Sequence, residues 1–271
     1  MARLAGMVAL VTGAGGGEMG GGGAGIARAL AAEGAVVAVN DLHEEYAQAT
    51  VEQIISAGGE AFSLPGDVSD PRQATAMVRT VIERCGRLDI LVNNAARLGR
   101  SPAVERMSDD EWHSYLAVNL SGPFYMSRAA LPQMMQQEYG RIINIGSLAA
   151  LRSSLNGGAG YTTSKRGLLG LTRQMAAEFY SYNITVNALL PAGILGGRMR
   201  AEMGPQADAL VRARRWALPD DIGKICAYLA SPEAHLITAA VIVVPGANAT
   251  GLGDFAQYRA MAKQIGKDIG E

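Results

Sequence analysis

Short apolar runs rich in β-branched residues alternate with longer amphipathic stretches along most of the 271 residues. The apolar runs are continuous, which is typical of strands that are buried on both faces of a sheet. Regular alternation of such strands with helices predicts a parallel, doubly wound sheet with helices on both faces. No linker and no change of composition divides the chain, so we expect a single α/β domain.

This periodicity places seven strands and six helical regions. The predicted strands are 7–12, 36–40, 61–65, 89–92, 141–145, 184–190 and 241–244. The predicted helical regions are 26–33, 44–57, 71–85, about 109–136, 161–180 and 219–230.

The first predicted turn from strand to helix, residues 12–27, contains a dense run of glycine. A glycine-rich turn lets backbone N–H groups approach a pyrophosphate at the start of the following helix. Its position directly after the first strand is the context that separates a dinucleotide-binding turn from an ordinary flexible loop. The turn therefore predicts a dinucleotide cofactor.

The second predicted strand ends in Asn40-Asp41. A carboxylate at this place accepts hydrogen bonds from the adenosine ribose hydroxyls and repels a 2′-phosphate. No Lys or Arg lies between Thr12 and Ile26 to hold such a phosphate. NAD is therefore expected rather than NADP. Asp41 is equally suited to cap the helix that starts near Glu44, and the two roles are compatible.

Tyr161 and Lys165 are four residues apart in a predicted helix, so they lie on one face, one turn apart. A nearby ammonium favours the phenolate and lowers the pKa of a phenol from its ordinary value near ~10. Such a Tyr exchanges a proton with an alcohol or ketone oxygen. Ser147 follows strand 141–145, where its hydroxyl can hydrogen-bond the same oxygen. A Tyr and a Lys at this spacing are common by chance, and the other motifs of the chain are what support a catalytic role for this pair.

The overall charge and the cysteines exclude several classes of function. A net charge of −1 and a pI near 6.3 argue against a broad nucleic-acid or polybasic membrane surface. The apolar run 4–11 is too short to span a membrane and lacks a signal-peptide cleavage pattern. Cys85 and Cys226 are interpreted as buried free thiols of a reducing compartment, and we expect a cytoplasmic protein. The histidines show no metal-ligand spacing, so no metal site is expected: His43, His113 and His235.

Between residue 7 and about residue 246 the chain resembles the short-chain dehydrogenase/reductase family, in its single-domain branch. The resemblance rests on the glycine turn, Gly66-Asp67-Val68, Leu91-Val92-Asn93-Asn94-Ala95-Ala96, Val118-Asn119-Leu120, Ser147, Tyr161-x-x-x-Lys165 and Pro191-Ala192-Gly193-Ile194. Several motifs in order at family-like spacing make it very specific. It implies a Rossmann-type domain over 1–250, with 251–271 as an extension of the same domain. It also implies a homotetramer, with helices 109–136 and 161–180 in one interface.

The resemblance implies a catalytic tetrad of Asn119, Ser147, Tyr161 and Lys165. Tyr161 is implied to act as general acid in reduction and as general base in oxidation. Ser147 is implied to orient the substrate oxygen, and Asn119 to hold a water that continues the proton relay. Lys165 is implied to bind the nicotinamide ribose and to lower the pKa of Tyr161.

The same resemblance implies a set of cofactor contacts. They are Gly13, Gly25, Ile26, Asp41, Asp67, Val68, Asn94, Tyr161, Lys165 and Ile194. Asp67 and Val68 are implied to line the adenine. Asn94 is implied to border the adenosine ribose and the glycine turn, and Ile194 to contact the nicotinamide carboxamide.

The glycine turn departs from the family pattern. Eleven residues separate Gly13 from Gly25 where the family usually has three, which is an insertion of about eight. Aligning Gly25-Ile26-Ala27 with the family's Gly-Ile-Gly restores the spacing to Asp41, and Ala27 is a tolerated variant at a packing position. The insertion is either a disordered decoration or a flap over the cofactor. The candidate phosphate contacts within the turn are Ala14, Gly15, Gly16 and Ala24.

In the resembled fold, the segment of about 193–216 closes over the substrate as a lid, and its glycines suit such motion. An apolar pocket wall is expected from Leu148, Leu151, Leu195, Met199, Met203 and Trp216. The alternative is an amphipathic helix whose methionines pack on the body of the domain. Arg198 and Arg200 either favour an anionic substrate or are surface charge. We expect a small-to-medium, apolar or cyclic secondary alcohol or ketone as substrate.

The sequence thus predicts an NAD-dependent alcohol dehydrogenase or carbonyl reductase. An alternative enzyme is an NADPH-dependent 3-oxoacyl reductase, which Asp41 and the lack of a basic residue in the glycine turn disfavour. An alternative from another class is a non-catalytic dinucleotide-binding sensor on the same fold. The complete tetrad weighs against that sensor.

Overall fold

A seven-stranded sheet organises the molecule. The computed structural model describes residues 2–16, 21–99, 101–154, 157–196, 200, 201, 203–205, 207, 208 and 216–244. Within this part of the chain every strand pair is parallel, and the strand order is β3-β2-β1-β4-β5-β6-β7. The strands are β1 (Val8–Val11), β2 (Val36–Asp41), β3 (Glu60–Pro65), β4 (Ile90–Asn93), β5 (Gly140–Ile145), β6 (Ile184–Pro191) and β7 (Val241–Val244). The predicted parallel, doubly wound sheet is confirmed.

Helices cover both faces of this sheet. They are α1 (Gly22–Ala32), α2 (Glu44–Ser56), α3 (Pro71–Cys85), α4 (Asp109–Leu116), α5 (Gly122–Gln137), α6 (Gly158–Phe179) and α7 (Pro219–Ala230). The predicted helical region 109–136 consists of α4 and α5, joined without a loop by the π-helical turn Ala117–Ser121. None of the described helices is long and apolar enough to cross a membrane.

Two hydrophobic cores explain why the strands are continuously apolar. Ala9 and Val11 of β1 face the core that α1, α2 and α7 cover, whereas Val8 and Leu10 face the core beneath α3, α5 and α6. Successive side chains of a strand point to opposite faces, so burial of both faces requires an apolar residue at every position. The four residues of β1 are all buried.

The strand order reverses direction between β1 and β4, because β2 and β3 extend to one side and β5, β6 and β7 to the other. In open parallel sheets the crevice at such a point, beyond the carboxyl ends of the strands, is where ligands bind. A ligand-binding site is therefore expected among the residues that follow β1, β4, β5 and β6.

Candidate active site

The turn after β1 is anchored tightly to the end of β4. Gly13 has φ +58°, and a Cβ at this position would lie 2.6 Å from Cα of Ala95. The Asn94 side chain closes the turn, since its Nδ2 donates to the carbonyl oxygens of Thr12 at 2.9 Å and Gly13 at 2.8 Å. The predicted proximity of Gly13 and Asn94 is therefore present, and only glycine fits the first position.

Helix α1 begins at Gly22, about one turn earlier than the predicted start at Ile26. Its N-cap, Gly21, provides no side-chain hydrogen bond to the helix. The amides of the first turn have no partner within a helix, whereas the Gly25 N–H already donates to the Gly21 carbonyl at 3.1 Å. The amides of residues 22–24 therefore point out of the helix end, where the dipole favours an anion such as a pyrophosphate.

Gly25 and Ile26 have packing roles in the structure, and their predicted cofactor contacts stay predictions. A Cβ on Gly25 would lie 2.4 Å from the carbonyl carbon of Pro219, so glycine lets α1 contact the start of α7. Ile26 is fully buried in the core. The close approach to the first turn belongs to Gly23, where a Cβ would lie 2.2 Å from the Gly13 oxygen. Sequence reasoning missed Gly23 because it placed this residue inside the insertion.

Asp41 at the end of β2 lies beside the glycine turn. Its Oδ2 accepts from the Gly15 N–H at 3.1 Å and its Oδ1 accepts from the His43 N–H at 3.3 Å. Partial burial raises the pKa of the Asp41 carboxyl, and the backbone N–H groups of His43 and Gly15 act in the opposite direction. The carboxylate is thus fixed by amides on both sides.

The remaining predicted cofactor residues lie at the ends of β3 and β6. Asp67 Oδ1 accepts from the backbone N–H and the hydroxyl of Ser69, at 2.8 and 2.7 Å. Val68 is buried against Gly122, the first residue of α5. A Cβ on Gly22 would lie 3.0 Å from Ile194 Cδ1, so Ile194 lies next to the start of α1.

The structure brings Ser147, Tyr161 and Lys165 to the carboxyl ends of β5 and β6. Ser147 follows β5 and begins the short 3-10 turn Leu148–Ala150, where its Oγ accepts from the Ala149 N–H at 3.2 Å. Tyr161 and Lys165 are on α6, with the Lys165 ammonium 5.9 Å from the centroid of the Tyr161 ring. Lys165 is 2% exposed, and its Nζ donates to the Ile145 carbonyl at 2.8 Å.

The pKa of Tyr161 shifts in the direction opposite to the one predicted. Burial raises the pKa of the phenol, while the neighbouring Ser147 hydroxyl lowers it. Lys165 is not among the groups that lower it, and the Lys165 ammonium donates to the Ile145 carbonyl. Complete burial lowers the pKa of Lys165 itself to about 8. Desolvation, which a sequence does not reveal, is the largest cause of both pKa shifts.

Asn119 lies on the π-helical turn between α4 and α5 and is fully buried. Its Oδ1 accepts from the Arg97 N–H at 2.7 Å, and its Nδ2 donates to the Arg97 carbonyl and to Ser164 Oγ, both at 3.2 Å. The side chain therefore links the segment after β4 to α6. Single π turns inside helices often mark functional sites.

Tyr115 is a site residue that sequence reasoning missed. Its ring lies edge-on to that of Tyr161, with centroids 6.5 Å apart and an interplanar angle of 74°. Its place on one face of α4 gave no sequence signal of this contact, which depends on how α4 packs on α6.

The expected lid is described only in part. Leu195 donates its N–H to the Ala217 carbonyl at 2.8 Å, and the Ala217 N–H donates to Gly193 at 3.0 Å. Leu195 is buried, and the Trp216 ring would lie 3.1 Å from a Cβ on Gly193. Arg200 pairs with Asp208. Arg198, Met199 and the extension 251–271 lie outside the described residues, as do several other lid positions.

No group of three or more His, Cys, Asp or Glu side chains suited to a metal ion occurs among the residues that the structure describes. Cys85 and Cys226 are both free thiols.

Comparison with known proteins identifies the family. A family model described as enoyl-(acyl carrier protein) reductase matches residues 17–246. The 3-oxoacyl-(acyl-carrier-protein) reductase FabG of Staphylococcus aureus is 38% identical over 242 residues, which cover 88% of this chain and 96% of that protein. The D-threitol dehydrogenase of Mycolicibacterium smegmatis is 38% identical over 248 residues, which cover 90% and 93%.

The crystal structure of levodione reductase superimposes with a TM-score of 0.81 at 30% identity, covering 91% of this chain and 99% of that one. The chain belongs to the short-chain dehydrogenase/reductase family. It is an NAD(P)-dependent oxidoreductase of that family.

Proposed function

We propose that this protein interconverts a secondary alcohol and a ketone with NAD(H) as the hydride carrier. The observation that carries the proposal is that Ser147, Tyr161 and Lys165 lie together after β5, at the same carboxyl edge of the sheet as the start of α1. A dinucleotide held at that helix end extends toward the proton-transfer group. The nicotinamide supplies hydride chemistry when it is bound, and the protein supplies position and proton.

The proton moves through the Tyr161 hydroxyl in this proposal. In reduction the phenol donates its proton to the carbonyl oxygen, and in oxidation the phenolate accepts the proton of the alcohol. The Ser147 hydroxyl donates a hydrogen bond to the same oxygen and stabilises its developing charge. Lys165 holds the nicotinamide ribose, and burial lowers the pKa of its own ammonium to about 8.

Asp41 supports NAD as the preferred cofactor. Its carboxylate is fixed by the Gly15 and His43 amides at the end of β2, where the adenosine ribose binds in this fold. A 2′-phosphate at this place would face a carboxylate, and no Lys or Arg lies between Thr12 and Ile26. Gly13, Gly25, Ile26, Asp67, Val68, Asn94 and Ile194 complete the proposed cofactor site.

The proposed substrate is small to medium in size, with an apolar or cyclic carbon skeleton. Leu148 follows Ser147 directly and is buried, and Leu151 is 48% exposed at the end of the same turn. Trp216 lies over Gly193 at the start of the proposed lid of about 193–216. In this proposal these side chains supply apolar surface next to Ser147 and where the lid begins and ends.

A second candidate is an NADPH-dependent 3-oxoacyl reductase. It is favoured by the likeness to the FabG protein of Staphylococcus aureus and by the description of the matching family model. Acetoacetyl-coenzyme A with NADPH is the assay that separates it from the first proposal.

We also propose a cytoplasmic homotetramer in which residues 1–250 form one domain, 251–271 extend it, and α4, α5 and α6 lie in one interface. Light scattering after gel filtration tests the assembly, since a monomer would contradict it.

Initial rates test the proposed reaction directly. A panel of cyclic, aryl and aliphatic secondary alcohols is assayed with NAD and with NADP, and acetoacetyl-coenzyme A with NADH and NADPH. Turnover of simple alcohols with NAD supports the proposal. Turnover confined to the thioester with NADPH would replace it with the second candidate. Binding of NAD without any turnover would favour a sensor.

A further inference from the structure

The backbone of Arg97 is hydrogen-bonded to Asn119, a member of the predicted catalytic tetrad. Arg97 lies in the segment after β4, and its N–H and carbonyl both bond to the Asn119 side chain, at 2.7 and 3.2 Å. These bonds use only main-chain atoms of Arg97. The position of its Cα is therefore fixed beside the tetrad, whatever side chain it has.

The Arg97 side chain lies over the buried ring of Tyr115. Its guanidinium carbon lies 5.1 Å from the centroid of Tyr115, which is 1% exposed and contacts the Tyr161 ring edge-on. A Cβ on Gly160 would lie 2.8 Å from the Tyr115 ring, so the glycine makes room for this ring on α6. The ring positions the guanidinium and restricts its motion.

The charge of Arg97 is exposed, and no carboxylate lies within 4.0 Å of it in the described part of the chain. Other arginines differ: Arg3 pairs with Glu33, and Arg87 pairs with Asp89. A positioned guanidinium without a protein carboxylate, at the rim of an active site, is suited to a planar anion. One guanidinium matches the single charge and the two oxygens of a carboxylate.

We propose that Arg97 is a specificity-determining residue that binds a carboxylate on the substrate, away from the carbon that reacts. This inference rests on the proposed alcohol–ketone reaction and refines its substrate class to a hydroxy acid or keto acid with an apolar skeleton. Leu98, which is 70% exposed, follows Arg97 and adds apolar surface to the same rim.

A matched pair of substrates tests the role of Arg97. The wild-type protein is assayed with NAD and trans-4-hydroxycyclohexanecarboxylate, and then with the corresponding carboxamide, which has the same shape without the charge. We expect kcat/KM to favour the acid by about tenfold or more. In Arg97→Gln this preference should fall to about one, and Arg97→Lys should retain part of it because the charge remains but the bidentate geometry is lost.

Arg84→Gln is the matched control. The Arg84 guanidinium lies 4.0 Å from the Phe62 ring centroid, on α3 and away from the site, so its replacement removes a similar cation–aromatic contact. The acid-to-amide ratio should keep its wild-type value in this variant. The same acid preference in Arg97→Gln and in the wild type would overturn the inference, while turnover of either compound would leave the proposed reaction standing.

A binding measurement covers the case in which neither compound is oxidised. Calorimetry then measures the affinity of cyclohexanecarboxylate for the protein saturated with NAD. Weaker binding in Arg97→Gln by about tenfold, with unchanged NAD affinity, supports the role of Arg97 even though these alcohols are not substrates. Equal binding in both proteins, or no binding to the wild type, overturns it.

Discussion

The two halves of the carboxyl edge of the sheet are built from different kinds of contact. Around the glycine turn, each of these bonds has a backbone group of the turn as one partner: the Asn94 side chain donates to the Thr12 and Gly13 carbonyls, and the Asp41 side chain accepts from the Gly15 N–H. Around the tetrad, side chains also bond to the main chain, as Lys165 does to the Ile145 carbonyl, but buried side chains bond to one another as well, as Asn119 does to Ser164. Asn93 donates to Asn144 at 2.8 Å, and Asn144 donates to Thr172 at 2.9 Å.

The difference determines what each half tolerates. A backbone-built turn is insensitive to many side chains but excludes any Cβ at its points of close approach. A buried network of polar side chains suffers when one member is removed, because its partner keeps a desolvated group without a hydrogen bond. We call the glycine turn with Asp41 the cofactor half and the tetrad with its surrounding side chains the catalytic half. We therefore expect substitutions that add bulk to affect the cofactor half most. Substitutions that remove a polar group should affect the catalytic half most.

The largest effect is expected for Tyr161→Phe. This change removes the hydroxyl that transfers the proton and keeps the ring that packs against Tyr115. We expect kcat to fall by about 10³-fold, within the usual range for removal of a general acid or base, with little change in the affinity for NAD. Steady-state rates and fluorescence titration with NADH measure the two quantities.

Tyr180→Phe is the control, since Tyr180 is 69% exposed beyond the end of α6. Equal turnover in Tyr161→Phe and Tyr180→Phe would remove Tyr161 from the chemistry. It would also make the catalytic half a structural network only.

The cofactor half is tested by Gly13→Ala against Gly58→Ala. Both glycines have positive φ, +58° and +85°, but a Cβ on Gly13 would lie 2.6 Å from Ala95 whereas one on Gly58 meets nothing within 4 Å. The backbone strain of about 1 kcal/mol is common to both variants. The steric clash destabilises Gly13→Ala by roughly a further 1–3 kcal/mol. Urea unfolding should show Gly13→Ala to be the less stable variant by that margin, and NAD binding should be lost in this variant only.

Equal stability of the two alanine variants would mean that the turn moves away from β4 at little cost. The cofactor half would then not be rigid, and the difference that we infer between the cofactor half and the catalytic half would be contradicted.

Lys165→Met separates catalysis from stability within the tetrad. The pKa of Lys165 is about 8 in the folded protein and 10.5 ordinarily, so the unfolded chain binds more protons between these values. The free energy of unfolding of the wild type should therefore rise with pH from about 8 to 10.5. Below pH 8, where the buried ammonium destabilises the fold, the variant should be more stable by roughly 1–3 kcal/mol.

The same variant should lose most of its turnover, because the ammonium proposed to hold the nicotinamide ribose is removed. Unfolding curves at pH 7 and pH 10 measure the stability effect, with the exposed Lys224→Met as control. A wild-type stability that does not change between these pH values would show that Lys165 is not desolvated as the structure indicates.

Much of the fold was predictable because its determinants are local. Continuous apolar strands and alternating helices gave the parallel sheet, and the spacing from Ser147 to Lys165 gave the residues that the structure brings together. The start of α1 was missed because glycine has poor intrinsic helix propensity, whereas Gly22 and Gly23 lie in the first turn, where close approach matters more.

The parts that the sequence did not reveal depend on packing between distant elements. Tyr115 contacts Tyr161 because α4 packs on α6, and Arg97 lies over this ring from a segment whose backbone is bonded to Asn119. The direction of the Tyr161 pKa depends on how far water is excluded, and burial is a property of the whole fold. A spacing rule predicts which residues meet but not how strongly they are desolvated.

The smallest effect is expected for Asp41→Asn, which should change the preference between NAD and NADP. This variant tests the role of Asp41 in the cofactor half directly. The variant keeps the shape of the side chain and removes the charge that repels a 2′-phosphate. We expect the ratio of kcat/KM with NAD to that with NADP to fall by about tenfold, which corresponds to about 1.4 kcal/mol. Asp67→Asn provides the comparison: its proposed contact with adenine is common to both cofactors, so the ratio should stay at its wild-type value. A wild-type preference for NADP would mean that the inserted glycine turn forms a phosphate site of its own beside Asp41. In that case the amides of the turn, rather than the carboxylate at the end of β2, would determine which dinucleotide binds.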